Sequence, residues 1–187
     1  FRSYVHGGPG GQTTFAYNAL FQYLANHGYA VLAPNNRGSS GYGKRFQALD
    51  DMRHGRDDML DLIAGKQWLA RSGEVDPGRV ALIGSSYGGF LVLSAMIHRP
   101  EEFAAGVDMF GMVDWVRTLQ DLPTSWAHYR DAFYREMGYP DRDAEYLRSI
   151  SPLYDAERIS RPLMVLQGGS DTWVLKVEAE EVVDKAR

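Results

Sequence analysis

Cysteine is absent from the 187 residues. That excludes a disulfide framework and any thiolate metal site. It also suits a reducing compartment; a cytoplasmic location is favoured on that ground alone, and the compartment otherwise stays open. No apolar run approaches the roughly 20 residues that a membrane-spanning helix needs, so no membrane partner is expected. An excess of basic charge is missing too. Twenty Lys and Arg stand against 24 Asp and Glu, a net charge of −4, which gives no reason to expect nucleic acid or an anionic surface as partner. Histidine is scarce at five, with no His-x-x-x-His and no Glu-paired spacing, so neither a metal nor a cofactor is expected. Internal repeats, low-complexity tracts and linkers are lacking as well. The chain opens Phe1-Arg2-Ser3-Tyr4 without an initiator Met, and the expectation is a cut start, for which missing targeting signals mean little.

What is present suits one domain with a real core: 44% apolar and 24% charged residues. Short apolar runs alternate with helical patterns. Ser3 to His6 reads as the end of a buried strand, followed by the flexible loop Gly7-Gly8-Pro9-Gly10-Gly11. Tyr17, Leu20, Phe21 and Leu24 recur at helical spacing, with Gly28 where a helix C-cap belongs. Tyr29 to Ala33 is the next strand, and Asn35 to Gly43 a turn-rich loop. Met59, Leu62, Ile63, Leu69 and Ala70 mark a helix capped near Asp57 or Asp58. Val80 to Ile83 is a third strand, and Phe90 to Ile97 is apolar nearly all round, as a buried central helix is. Ala104 to Phe110 and Pro162 to Gln167 are two more strands. Between them, residues 112–158 carry no strand signal and read as helical excursions over the sheet edge, a partial lid among the options. Ala179, Val182, Val183 and Ala186 mark a last helix. Such alternation implies an α/β fold, doubly wound, with a mostly parallel sheet of about five strands and right-handed crossovers.

Gly84-Ser85-Ser86-Tyr87-Gly88 falls where the third strand meets the central helix. That is the G-x-S-x-G elbow in its strand, turn and helix context, which exposes a serine hydroxyl at the top of the sheet. Nucleophilic acyl transfer needs an activated hydroxyl, a base, an orienting acid and an oxyanion hole. Ser86 supplies the hydroxyl, and Asp171, after the fifth strand, the acid. The backbone N–H of Tyr87 and one from the first loop, that of Gly8, are placed for the oxyanion. Asp171 could instead be a turn former or helix N-cap. His6 precedes Ser86 and reads as a brace for its loop. His27, His54, His98 and His128 read as surface or capping residues, Asp57-Asp58 and Glu180-Glu181 as solvated helix charges, and Arg37 as half of a structural ion pair. Trp126, Tyr129, Trp173 and Val174 are candidates to line a substrate pocket, against the plainer reading of aromatic packing.

Five ordered motifs carry a resemblance over nearly the whole chain: His6-Gly7-Gly8-Pro9; Asn36 to Gly43; Gly84 to Gly89; Ser151-Pro152-Leu153; and Gln167-Gly168 with Asp171. On these the chain resembles the catalytic domain of the prolyl oligopeptidase family of serine peptidases, most of all its acylaminoacyl-peptidase branch. The resemblance implies an α/β-hydrolase fold, Ser86 and Asp171 in a triad, an oxyanion hole from Gly8 and Tyr87, and cleavage of short peptides or acyl-peptides without a cofactor. It also implies that residues 1–187 are one partial catalytic domain. An N-terminal β-propeller and a C-terminal segment bearing the catalytic His are then expected outside it, and the fragment alone is expected to be nearly inert. Two positions depart from the family pattern: Trp173 stands where members often have an Arg that grips a substrate carbonyl, and Leu175 where a Pro is common. Carboxylesterase activity, and an inert fragment or pseudoenzyme whose open sheet edge pairs with another chain, are the alternatives; homo-oligomerisation stays open.

Overall fold

Parallel pairing organises the computed structural model, which describes residues 1–73 and 75–187. Strand β1 (Arg2–Val5) leads through the glycine loop to helix α1 (Ala19–Asn26), then to strand β2 (Val31–Leu32) and the short helix α2 (Lys44–Gln47). Helix α3 (Asp57–Ala70) and a 3-10 turn at Pro77–Arg79 precede strand β3 (Ala81–Ser85), helix α4 (Tyr87–His98) and strand β4 (Ala105–Met109). Helices α5 (Trp115–Gln120), α6 (Arg130–Met137) and α7 (Ala144–Ile150), with three 3-10 turns, fill the long excursion; strand β5 (Leu163–Leu166) and helix α8 (Lys176–Lys185) close the chain. Among the described residues the sheet has five strands in the order β2-β1-β3-β4-β5, every pair parallel. No helix among them is long and apolar enough to cross a membrane.

The order reverses between β1 and β3, where Arg2 pairs with Ala81 and Val5 with Gly84. Loops leaving the carboxyl ends of two such strands turn away from each other and leave a crevice, the usual ligand position in open α/β sheets. Here the two loops are the glycine loop after β1 and the elbow after β3.

Alternate residues of a strand face opposite sides of the sheet. Val5 lies in the buried cluster with Tyr87, Leu91 and Ala95 of α4 and Leu62 of α3. Its neighbour Tyr4 meets Phe21 of α1 edge-on at 5.0 Å between ring centres. Thus α4 and α1 cover opposite faces. Residues Tyr87 to Ile97 of α4 are all buried, which is why the sequence shows no polar stripe there. The α1 side is thinner. Helix α1 buries none of its residues, and Tyr17, expected on its apolar face, is 83% exposed.

Glycine sets how close α4 comes to the sheet. A Cβ on Gly88 would collide with the Val5 carbonyl, and one on Gly84 with the carbonyl of Gly88. The helix start can rest on the ends of β1 and β3 only because both side chains are missing.

Candidate active site

Ser86 links β3 to α4 with φ 55° and ψ −122°. A residue other than glycine in that region costs about 1–3 kcal/mol and persists only where its surroundings over-determine it. The anchors are visible. Ser86 N–H donates to the Met109 carbonyl at 3.0 Å, and the Ser86 carbonyl accepts from Phe90 N–H at 3.1 Å. The hydroxyl donates to the Met112 sulfur at 3.8 Å, a weak bond that leaves it available to a stronger base.

The glycine loop packs against this serine. A Cβ on Gly7 would stand 3.4 Å from the Ser86 Cβ. Gly8 has φ +150°, and a Cβ there would strike the amides of Gly10 and Gly11. The loop is braced by His6, whose Nε2 lies 2.8 Å from the Ser39 hydroxyl and whose Nδ1 lies 2.8 Å from the Gly7 carbonyl. Burial lowers the His6 pKa, which favours the neutral ring. The second loop is held by Arg37, which grips Asp61 with Nε at 2.9 Å and Nη2 at 2.7 Å. Both expectations for these residues, a brace and an ion pair, match the geometry.

Asp171 arrives from the turn after β5. Its Oδ1 accepts from Trp173 N–H at 2.8 Å and Val174 N–H at 3.1 Å. It is therefore a turn former, as the plainer reading had it, and it also lines a cavity of about 280 Å³ shared with Gly8 and Ser86. The walls are mostly apolar: Met112, Leu122, Trp126 and Phe133 from the excursion, Trp173 and Val174 beside Asp171, and Phe110 past β4. Trp126 meets Trp173 edge-on at 4.7 Å and Phe133 at 6.0 Å. Phe133 continues to Trp115 at 6.4 Å, and Trp115 to Phe90 at 5.1 Å, so the cavity roof rests on the core beneath the elbow. Tyr129 stands outside this cavity, 59% exposed, its ring 6.2 Å from Trp126.

The roof is tied down by the Ser151-Pro152 turn. Ser151 Oγ accepts from Trp115 N–H at 2.8 Å and donates to the Leu147 carbonyl at 2.7 Å, joining α5 to α7. Asp114 caps α5, accepting from Val116 N–H at 3.0 Å.

Tyr87 is the first residue of α4, so its N–H has no acceptor within the helix. Its side chain is fully buried and points to a polar cluster that motif reading missed. Asp50, His54 and Asp58 are each 0% exposed. Two expectations fail here. Asp58 is not a solvated charge or a cap, since the N-cap of α3 is Arg56, and His54 is not at the surface. A signal was available: His54 and Asp58 precede the buried Leu62 by eight and four residues, in step with the inward face of α3. Asp50, His54 and Asp58 bring ligand-type atoms within 4.8 Å of one another, as do Asp50, Asp51 and Glu136. In the first group His54 and Asp58 are already engaged by the Tyr87 phenol.

Among the described residues neither carboxylate oxygen of Asp50 has a hydrogen-bond partner, although His54 Nδ1 stands 3.5 Å from its Oδ2. Burial, reinforced by the charges of Asp58 and Glu136, pushes its pKa from 3.8 up to about 8. Between those values the native chain holds a proton that the unfolded chain has released, so stability falls as pH rises through that window. Asp50→Asn removes this contribution. The melting temperature of the unsubstituted protein should therefore drop relative to Asp50→Asn between pH 4 and pH 8; a difference that stays constant across that range contradicts the assignment.

Comparison with known proteins agrees with this geometry. The sequence pattern of the prolyl oligopeptidase family matches residues 15–187. A dipeptidyl aminopeptidase BIII of Pseudoxanthomonas mexicana is 37% identical over 181 residues, covering 96% of this chain and 26% of that protein. A puromycin-hydrolyzing peptidase of Mycobacterium tuberculosis superposes with a TM-score of 0.90 at 28% identity, over 98% of this chain and 27% of the other. An acylaminoacyl peptidase in complex with Z-Gly-Gly-Phe-chloromethyl ketone does so with a TM-score of 0.88 at 26% identity, over 99% and 30%. The chain thus spans between a quarter and a third of the length of these relatives. The fold is that of the α/β-hydrolases, and the chain belongs to the prolyl oligopeptidase family.

Proposed function

We propose that the protein is a serine peptidase acting on short peptides or acyl-peptides, with Ser86 as nucleophile. The observation that carries this is the single cavity shared by the Ser86 hydroxyl, the Asp171 carboxylate and the Gly8 loop. A histidine from outside residues 1–187 would take the Ser86 proton, oriented by Asp171. The Ser86 oxygen then attacks the peptide carbonyl, and the tetrahedral oxyanion meets the N–H groups of Gly8 and Tyr87. The same imidazolium protonates the leaving amine, and water hydrolyses the acyl-enzyme by the reverse route. Each oxyanion donor is worth roughly 3–4 kcal/mol in the transition state.

The cavity supports a preference as well. Its walls are mainly aromatic and aliphatic, with Ser86, Asp171, the Thr118 hydroxyl and the indole N–H groups of Trp126 and Trp173 as the polar side-chain groups among the lining residues. A large apolar residue on the acyl side of the cleaved bond fits; a charged one would be desolvated without a partner. The solved relative with a Phe-chloromethyl ketone ligand is in keeping with this.

The test is a panel of N-acyl and free dipeptidyl p-nitroanilides, with p-nitrophenyl esters alongside, on the full-length protein. The proposal expects amide hydrolysis, with kcat/KM for Phe or Leu next to the cleaved bond at least about tenfold above that for Asp or Lys. Ester hydrolysis with no turnover of any peptide would favour the carboxylesterase reading instead.

A further inference from the structure

Tyr87 enters the reaction proposed above through its amide alone. Its phenol lies on the far side of the helix start, enclosed by core. The phenol oxygen stands 2.5 Å from Asp58 Oδ2 and 2.6 Å from His54 Nδ1. His54 Nε2 lies 3.1 Å from the Glu136 carbonyl, and Asp58 Oδ1 accepts from Met59 N–H at 2.8 Å.

The Tyr87 O–H donates to Asp58 Oδ2, and the same phenol oxygen shares a hydrogen bond with His54 Nδ1. His54 Nδ1 also stands 3.5 Å from Asp50 Oδ2. Two buried side chains from the start of α3 and the loop before it therefore hold one phenol oxygen.

The elbow has use for such a clamp. Ser86, immediately before Tyr87, holds a strained backbone, and the Met109 carbonyl fixes it from the β4 side. Phe90 and Trp115 flank the Tyr87 ring at 5.3 and 6.0 Å. Such packing sets the plane of a ring more firmly than its position along the long axis. The two bonds at the phenol oxygen set that position, and with it the Cα and amide nitrogen at the other end. We propose that Asp58 and His54 are positioning residues for the oxyanion site, holding the Tyr87 phenol by two buried hydrogen bonds so that its amide stays aimed at the developing negative charge. This rests on the reading of the Tyr87 N–H as an oxyanion donor.

The test is steady-state kinetics on the full-length protein with a peptide p-nitroanilide, active sites being counted by exhaustive fluorophosphonate labelling. Tyr87→Phe and Asp58→Leu are expected to lower kcat per site by about tenfold to a hundredfold, with KM little changed, because a misaimed donor is felt only in the transition state. Asp58→Asn keeps a side chain of the same shape whose amide can still hydrogen-bond the phenol. It should recover most of the kcat lost in Asp58→Leu. Wild-type kcat per site in Tyr87→Phe would overturn the proposal, as would an Asp58→Asn enzyme as slow as Asp58→Leu. Should the two larger changes fail to fold, Asp58→Asn decides against the wild type: near-normal kcat supports a clamp made by hydrogen bonding, and a large loss of kcat in a folded protein refutes it. Failure of the underlying reading looks different, since the phosphonyl oxygen of a fluorophosphonate adduct on Ser86 would then lie away from the Tyr87 amide.

Discussion

Ser86→Ala should lower kcat of the full-length protein by on the order of 10⁶ and leave KM within a small factor of its starting value. The size follows from what is removed. On the proposed mechanism the acyl-enzyme route ends with the nucleophile, and what remains is the cavity and the two amides proposed to steady an oxyanion. Such residual catalysis is typically about 10³–10⁴ over the reaction in water. The steadiness of KM follows from the shape of the site. The apolar walls from Met112, Trp126, Phe133 and Trp173 are untouched by losing one hydroxyl, and its bond to the Met112 sulfur is too weak to leave a costly orphan. Active-site titration of contaminating wild type must accompany the rate, because one part in 10⁵ of carry-over would mask a loss of this size. A decrease of only a few-fold would mean that Ser86 is not the attacking group.

Asp171→Asn should lower kcat by about 10⁴ while the fold stays intact. The substitution separates the turn-forming role, which the structure shows, from the triad role proposed for the same residue. Both hydrogen bonds that shape the turn, from Trp173 and Val174 N–H, fall on Oδ1. An asparagine keeps that oxygen and so keeps the turn and the cavity wall. The other carboxylate atom becomes an NH₂ group, which cannot accept from an imidazole N–H and would favour the wrong tautomer of the base. An unchanged melting temperature with a large loss of kcat is the expected pair of results. If Asp171 were only a turn former, the melting temperature and the rate would both stay near wild type.

The sequence carried the parts of this site that are local. Gly84, Gly88 and the apolar runs on either side of them state a strand, a sharp turn and a buried helix within about a dozen residues, because the steric demand of the elbow is met by residues next to it. Asp171 was legible from its position after a strand. What the sequence concealed depends on packing between distant segments. Asp58 reads as a surface charge until α3 is laid against α4, when it becomes the partner of a phenol 29 positions away. Phe110, Met112, Thr118, Leu122 and Phe133 line the cavity with no shared period, since they come from two loops and two short helices. The strand at Tyr29 to Ala33 shrinks to Val31–Leu32 because β2 lies at the sheet edge, where a ladder is needed on one side only.

The central claim is that the hydroxyl of Ser86 is an activated nucleophile facing the amides of Gly8 and Tyr87. Its most direct test is a crystal structure of the full-length protein after reaction with a fluorophosphonate. The account predicts one adduct, on Ser86 Oγ, with the phosphonyl oxygen about 2.7–3.1 Å from the amide nitrogens of Gly8 and Tyr87. An adduct on another residue, or a phosphonyl oxygen turned away from both amides, would contradict it.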